Sequence, residues 1–353
     1  MLAKRIDALP PGDSFIFEPK WDGFRALVFK DGAEIEIQSR EEKPLNRYFL
    51  ELLDPLREQL PARCVLDGEI VIATSHGLDF DFLQLRLHPA TSRVRLLSKQ
   101  TPASIVFFDL LAADHRDLRG RPFEERRAEL ERILTAAEPP IHLTHATRDT
   151  NIAAEWFRRF EGAGLDGVVA KPVSGTYEPD KRVMFKVKHE RTADCVVAGY
   201  RAHKSGPDAI GSLLLGLYDD AGRLASVGVI GAFGMATRRA LFAEMQPLVT
   251  GFEGHPWDWA RPEANVRNPR GAEASRWNAG KDLSFVPLRP ERVVEVRYDH
   301  MEGTRFRHTA QFVRWRTDRD PRSCGFSQLE EPVNFDLADI LPRRQEPRSP
   351  GQH

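Results

Sequence analysis

Cysteine is scarce. Cys64, Cys195 and Cys324 are the only three in 353 residues, far apart and in no Cys-x-x-Cys pair. A disulfide framework and a four-cysteine zinc module are thereby excluded. The three read as buried small hydrophobes or incidental surface thiols. Long apolar runs are also lacking, so no segment is suited to spanning a bilayer. The N-terminus passes from Met1-Leu2-Ala3-Lys4 to Pro10-Pro11-Gly12 without the apolar stretch of a secretory signal. A cytoplasmic protein with no membrane partner is the expectation. Nor is there an excess of one charge. The chain carries 51 Lys and Arg against 52 Asp and Glu, which argues against a wholly basic nucleic-acid binder. Internal repeats and low-complexity tracts are absent.

What is present is the composition of a soluble globular protein, 41% hydrophobic and 29% charged, and long enough for two ordinary domains. The charge is unevenly placed. Residues 181–353 carry 27 Lys and Arg against 22 Asp and Glu, leaving 24 against 30 before them. The second part therefore suits a phosphate backbone and the first a metal, although ordinary surface variation gives the same pattern.

The first half alternates strand and helix. Strands are expected at Phe15–Phe17, Ala26–Lys30, Glu34–Gln38, Val65–Ile72 and Ser104–Leu111, with a hairpin turn at Asp31-Gly32. Helices are expected at Phe123–Leu134 and Asn151–Phe160. From about residue 190 the texture turns strand-rich, with candidates Asp194–Tyr200, Leu213–Tyr218, Ala225–Ile230, Arg292–Tyr298 and Phe306–Arg316. One helix, Thr237–Met245, interrupts them, and the polar stretch Gly251–Lys281 reads as loop. Short strands with one helix suit a small antiparallel barrel. The boundary falls near residues 188–193. Pro342–Gly351 is polar and Pro-rich and reads as a frayed end.

Chemistry is concentrated in a few short motifs. Lys20-Trp21-Asp22-Gly23 follows a strand directly. A lysine that attacks phosphorus must lose its proton, and neighbours lower its pKa to allow that. Glycine permits close backbone approach to a ligand, and the aspartate can orient the amine. Such a motif arises by chance in roughly one chain in ten of this length, so alone it also reads as a solvated turn. Asp67-Gly68-Glu69 sets two carboxylates within an apolar run, where they need a partner or a metal. Asp166-Gly167-Val168-Val169-Ala170-Lys171 repeats that arrangement. Lys186 and Lys188 share one strand face by the period of two, and two cations there call for an anion such as phosphate.

Taken in order, Lys20-Trp21-Asp22-Gly23, Ser39-Arg40, Asp67-Gly68-Glu69, Phe107-Phe108-Asp109-Leu110, Asp166 to Lys171 and Lys186-Val187-Lys188 resemble the covalent nucleotidyltransferase superfamily of DNA ligases, RNA ligases and capping guanylyltransferases. Phe312 to Arg319 and Arg292 to Val296 resemble DNA ligases, and Phe185 to Asp194 and Ser275 to Leu283 are similar to the short, C-type bacterial ATP-dependent DNA ligases. The resemblance implies an α+β architecture. A nucleotidyltransferase (ATP-grasp-like) mixed antiparallel domain over residues 1–190 would be followed by a small all-β OB-fold barrel over 191–330 and a C-terminal tail over 331–353.

The implied activity is ATP-dependent sealing of 5′-phosphate/3′-hydroxyl nicks in duplex DNA, in repair, through AMP bound covalently to Lys20. Glu18 would contact adenine, Arg25 the ribose and nearby phosphate, and Arg40 the nick 5′-phosphate. Glu69 would bind ribose near a metal, and Phe108 would stack on adenine, with Phe107 leaving that register open by one. Asp22, Gly23 and Lys171 belong to the nucleotide site. Lys186 and Lys188 would grip the α-phosphate, and Arg316 and Arg319 would orient the leaving pyrophosphate. Mg2+ (or Mn2+) is the implied metal, at Glu69 and Asp166.

Two positions depart from the family's pattern. Asp166 stands where Glu is commoner, and Arg319 where Lys is. The family's usual start also lies somewhat earlier than Met1, so a late start is expected. Arg267, Arg270 and Arg276 would touch the DNA backbone, and Trp156, Trp257, Trp259 and Trp277 read mainly as core. An NAD-dependent ligase is excluded, since only 19 residues precede Lys20 and the zinc cysteines are missing. An RNA ligase, a GTP-dependent capping enzyme and an inactive nucleic-acid-binding relic remain as alternatives. The expected partners are nicked double-stranded DNA and repair proteins of unknown identity, with a monomer as default.

Overall fold

The computed structural model describes residues 1–74, 77–189, 191–260, 284–299, 301–329, 336–337 and 340–341. Arg267, Arg270, Arg276 and Trp277 lie outside them, as does Pro342–Gly351. The chain divides into two compact units, Met1–Lys188 with Pro332–His353, and His189–Glu331. No helix is long and apolar enough to cross a membrane among the described residues.

Among the described residues the first unit holds a small two-stranded sheet, Ala73–Thr74 with Gly77–Leu78, and two large ones. One runs Leu2–Arg5, Arg182–Val187, Val168–Pro172, Phe15–Pro19, with only the first pair parallel. The other runs Ile141–Leu143, Ser104–Ala113, Arg63–Val71, Phe24–Asp31, Glu34–Ser39, antiparallel except at the Ile141 edge. The expected strands all form, slightly extended. The hairpin turn sits one residue on from the expected place. Asp31 still pairs with Glu34, leaving Gly32 and Ala33 at the tip, and Gly32 takes the positive φ of 60°. Helices Phe123–Ile133 and Thr150–Arg159 match expectation, the second capped by the Asp149 carboxylate accepting from the Asn151 N–H. Helix Leu50–Gln59 buries Leu52 and Leu56, one helical turn apart, against the core that also holds Phe49, Leu66 and Phe107.

His142 is buried in the short edge strand, and burial lowers its pKa to about 4 from an ordinary 6.5. The neutral ring is thus favoured by folding. As pH falls below 6.5 the unfolded chain takes up a proton that the folded chain refuses, so stability drops until about pH 4. This shift is worth about 3 kcal/mol at most. The expected result is a first-unit melting temperature that falls from pH 7 to pH 4 and falls less in His142→Leu. Parallel curves for the two proteins would contradict it.

In the second unit five strands lie in the order Leu224–Ile230, Gly206–Tyr218, Arg191–His203, Val286–Tyr298, Gln311–Trp315, all antiparallel. Helix Met235–Met245 buries Leu241 and Met245 in the core of that unit. The two edge strands meet at one point, a parallel bridge of Ile230 with Ala310, where the Ala310 N–H donates to the Val229 carbonyl at 3.0 Å. The OB-type sheet is therefore joined by one bridge rather than closed as a barrel among the described residues. The strand expected over Phe306–Arg316 is two pieces. Arg305–Phe306 pairs with Met301–Glu302, and Gln311–Trp315 pairs with Val286–Tyr298. The chain changes partner between them, with Phe306 and Ala310 buried.

Part of the segment expected as a tail over 331–353 falls within the described residues. Leu337, Ile340 and Leu341 are buried in an apolar cluster of the first unit, because a turn presents all three to one face. The three cysteines are free and buried, and Trp257 is core.

Candidate active site

Lys20 directly follows the strand Phe15–Pro19 and is fixed by its backbone. Its N–H donates to the Gly167 carbonyl at 2.8 Å, and its own carbonyl accepts from the Asp166 N–H at 2.9 Å. This clamp brings together residues 146 apart in sequence. It needs Gly167, whose φ is 113° and where a Cβ would stand 2.1 Å from the Val187 carbonyl oxygen. The result is a compact ion cluster. Asp166 Oδ2 lies 2.6 Å from Lys20 Nζ and 2.6 Å from Lys188 Nζ. Burial raises the Asp166 carboxyl, but the two ammonium groups outweigh it and hold it below its ordinary value. Asp166 thus bridges Lys20 and Lys188, a different pair from Lys186 and Lys188, between which an anion was expected. Lys186 sits in the strand Arg182–Val187, opposite Val169 and Arg5.

Asp22 is half-buried in the turn that follows Lys20. The turn ends at Gly23, where a Cβ would stand 2.1 Å from the Ile70 carbonyl oxygen. That approach lets the Gly23 N–H donate to Glu69 Oε1 at 3.1 Å. Burial pushes Glu69 up to about 7, against the opposing pull of Lys20 and Arg25.

Arg25 lies on the neighbouring strand. Its guanidinium grips Asp67 through Nε at 2.9 Å and Nη2 at 2.5 Å, and also donates to the Met1 carbonyl. The Tyr177 hydroxyl donates to Asp67 Oδ2 at 2.9 Å. Burial opposes charge on Arg25, but Asp67 more than offsets it and raises the pKa further. Asp67, buried and bidentate, is the site's main unforeseen residue. Its motif was visible, but its partner 42 residues away was not.

The strand Ser104–Ala113 puts the two neighbouring aromatics on opposite faces. Phe107 is fully buried in the core with Leu66 and Ile105. Phe108, on the opposite face by the period of two, is half-buried with Lys171 Nζ 4.5 Å from its ring centre and the Arg25 guanidinium at 5.8 Å. Lys171 also donates to the Phe108 carbonyl at 2.9 Å and pairs with Glu18 at 2.7 Å. Glu18 is buried, which raises its pKa, while Lys171 and Arg127 oppose the rise. Beneath them Asp109 and Arg126 form a fully buried two-pronged pair at 2.8 and 2.9 Å. Sequence reading gave no signal for Arg126 or Arg127, which are buried beside Phe123 and Leu130 on the helix Phe123–Ile133.

The remaining expected residues stand apart. Arg40 is exposed just past the strand Glu34–Ser39, with no bond to the others seen among the described residues. Arg316 and Arg319 belong to the second unit. Asp194 holds them together there, 2.9 Å from Arg316 Nη1 and 3.5 Å from Arg319 Nε. Asp318 also grips Arg316, at 2.9 Å through both its oxygens.

Among the described residues no group of three or more His, Cys, Asp or Glu could hold a metal. A magnesium ion usually takes one or two carboxylates and completes its shell with phosphate and water, and of the two carboxylates expected to hold it Asp166 is paired here with Lys20 and Lys188.

Residues 1–188 match the family model for the ATP dependent DNA ligase domain, and residues 206–319 match that for the ATP dependent DNA ligase C terminal region. Residues 320–353 lie outside both. The chain is 65% identical to DNA ligase C of Mycobacterium tuberculosis over 97% of its own length and 96% of that protein's. It is 66% identical to DNA ligase C2 of Mycolicibacterium smegmatis, covering 94% of each chain. In fold it is similar to a solved Lig E DNA ligase, 17% identical, with a TM-score of 0.55 over 90% of this chain and 100% of that one.

Proposed function

The chain belongs to the ATP-dependent DNA ligase family, and on that premise we propose that it seals nicks in duplex DNA through AMP carried on Lys20. The observation that carries this reading is the cluster of Lys20, Asp166 and Lys188, which aims a lysine amine beside a second cation and a carboxylate.

Three displacements follow from that chemistry. Lys20 Nζ, having lost a proton to water, attacks the α-phosphorus of ATP. An N–P bond forms and the bond to pyrophosphate breaks. The 5′-phosphate at the nick then attacks the same phosphorus, releasing Lys20 and leaving AMP joined to the DNA. Finally the 3′-hydroxyl attacks the 5′-phosphate, AMP departs, and the strand is continuous. In each step negative charge builds on phosphate oxygens, where Lys188 and Lys186 stabilise it. Magnesium bound at Glu69 and Asp166 would supply further charge neutralisation for the phosphates. Arg25, preorganised by Asp67, and Phe108 bind the nucleoside, with Glu18 reading the base edge. Arg40 holds the nick phosphate, while Arg316 and Arg319 serve the leaving pyrophosphate.

Two substitutions separate the faces of one strand. Phe108→Ala is expected to raise the ATP concentration for half-maximal adenylylation by about 10-fold, the worth of one stacked base, with little loss of stability. Phe107→Ala is expected to destabilise the first unit by about 3–5 kcal/mol. Thermal melts and ATP titrations of both variants check this, and equal effects at the two positions would refute it.

The functional test is sealing of a 5′-labelled nick with ATP and magnesium. Joined product on an all-DNA duplex supports the proposal. Joining confined to an RNA-only duplex would make the chain an RNA ligase, and binding without joining would make it a relic.

A further inference from the structure

We infer that the C-terminal segment around Leu337–Leu341 is a positioning element for Lys20, resting on the ligase reading just given. The chain leaves the first unit after Lys188 and returns to it at Pro332. Three described side chains of the returning segment, Leu337, Ile340 and Leu341, are buried to within 3%, 7% and 2% exposure. Their spacing of three and four residues puts them on one face. The turn is closed by the Leu341 N–H donating to the Leu337 carbonyl at 2.8 Å.

The three share one buried apolar cluster with Trp21, Leu165, Val71 and Val106. Each of these neighbours a residue of the site. Trp21 follows Lys20, and Leu165 precedes Asp166, the carboxylate that holds Lys20. Val71 and Val106 lie two residues from Glu69 and Phe108, on the same strands. The segment therefore forms the floor beneath the nucleophile and its counter-ion.

A hydrogen bond holds this floor to the neighbouring chain: the Trp21 indole N–H donates to Thr144 Oγ1 at 2.8 Å. Trp21 is thus held from one side by Thr144 and from below by the returning segment. Removing apolar volume there loosens the turn that carries Lys20 without touching a group that contacts substrate. In-line attack is sensitive to misplacement of the nucleophile on the scale of 1 Å.

The test compares wild type and Leu341→Ala in three readouts: single-turnover adenylylation at saturating ATP, sealing of a nick already carrying AMP on its 5′-phosphate, and melting temperature. Sealing of the preformed adenylate needs no attack by Lys20, so a positioning role and a general structural one separate. The expected result is a fall of about 10-fold or more in adenylylation, a preformed-adenylate rate close to wild type, and a folded protein. Unchanged adenylylation, or equal falls in both rates, would overturn the inference. Should Leu341→Ala not fold, Leu341→Val is carried through the same comparison. A wild-type chain that takes no label overturns the ligase reading and the inference with it. Label on wild type with an undiminished variant overturns the inference alone.

Discussion

Lys20→Ala takes no AMP from ATP, with a loss of about 10⁴-fold or more, and still folds. In the proposed reaction the cluster's other amine, Lys188, serves the phosphate, while the Lys20 amine, once deprotonated, forms the N–P bond. Its removal spares the fold for a structural reason. The Lys20 side chain is 21% exposed and its one carboxylate partner, Asp166, keeps Lys188. The stability change is therefore about 1 kcal/mol or less. Lys20→Arg is expected to be equally inactive, because a guanidinium keeps the charge but is not deprotonated in proteins. Mass measurement of the adduct and a melting curve check both variants. Adduct on either protein would remove Lys20 from the role of nucleophile.

Lys188→Ala slows adenylylation by about 10²–10³-fold, the usual cost of losing one preorganised cation at a developing negative charge. The geometry gives this variant a second penalty. Asp166 Oδ2 is shared at 2.6 Å by both ammonium groups. With Lys188 gone, the carboxylate pairs with Lys20 alone, and more of the nucleophile stays bound as a salt bridge. Lys188→Arg is expected to recover part of the rate, since charge returns on a planar fork in place of a compact ammonium. Rates under single-turnover conditions decide this, and near-normal labelling of Lys188→Ala would place the residue outside the phosphate site.

Legibility in the sequence followed the range of the interaction. Strand positions were readable because alternation is local. The face of a strand was harder where both neighbours were aromatic. Phe107 and Phe108 could not be told apart until burial of Phe107 among Leu66 and Ile105 was seen. Partners across the sheets were invisible. Nothing local pairs Arg25 with Asp67 or Lys20 with Asp166, and only the strand register and the Gly167 clamp bring them together. The break between Phe306 and Gln311 was hidden for a similar reason, since an unbroken strand-like text does not reveal a change of partner. Leu337, Ile340 and Leu341 did carry a local signal, the helical spacing of three and four. It was masked by the Pro-rich text that follows, and recognition of the floor beneath Lys20 required the fold.

The measurement that bears most directly on the account is the identity of the covalent adduct. The protein, first shown by mass to carry no AMP, is incubated with magnesium and separately with α-labelled ATP, α-labelled GTP and adenylate-labelled NAD. Peptide mapping then locates the label. The account predicts AMP on Lys20 from ATP alone. GMP on Lys20, AMP on another residue, or no adduct from ATP would contradict it.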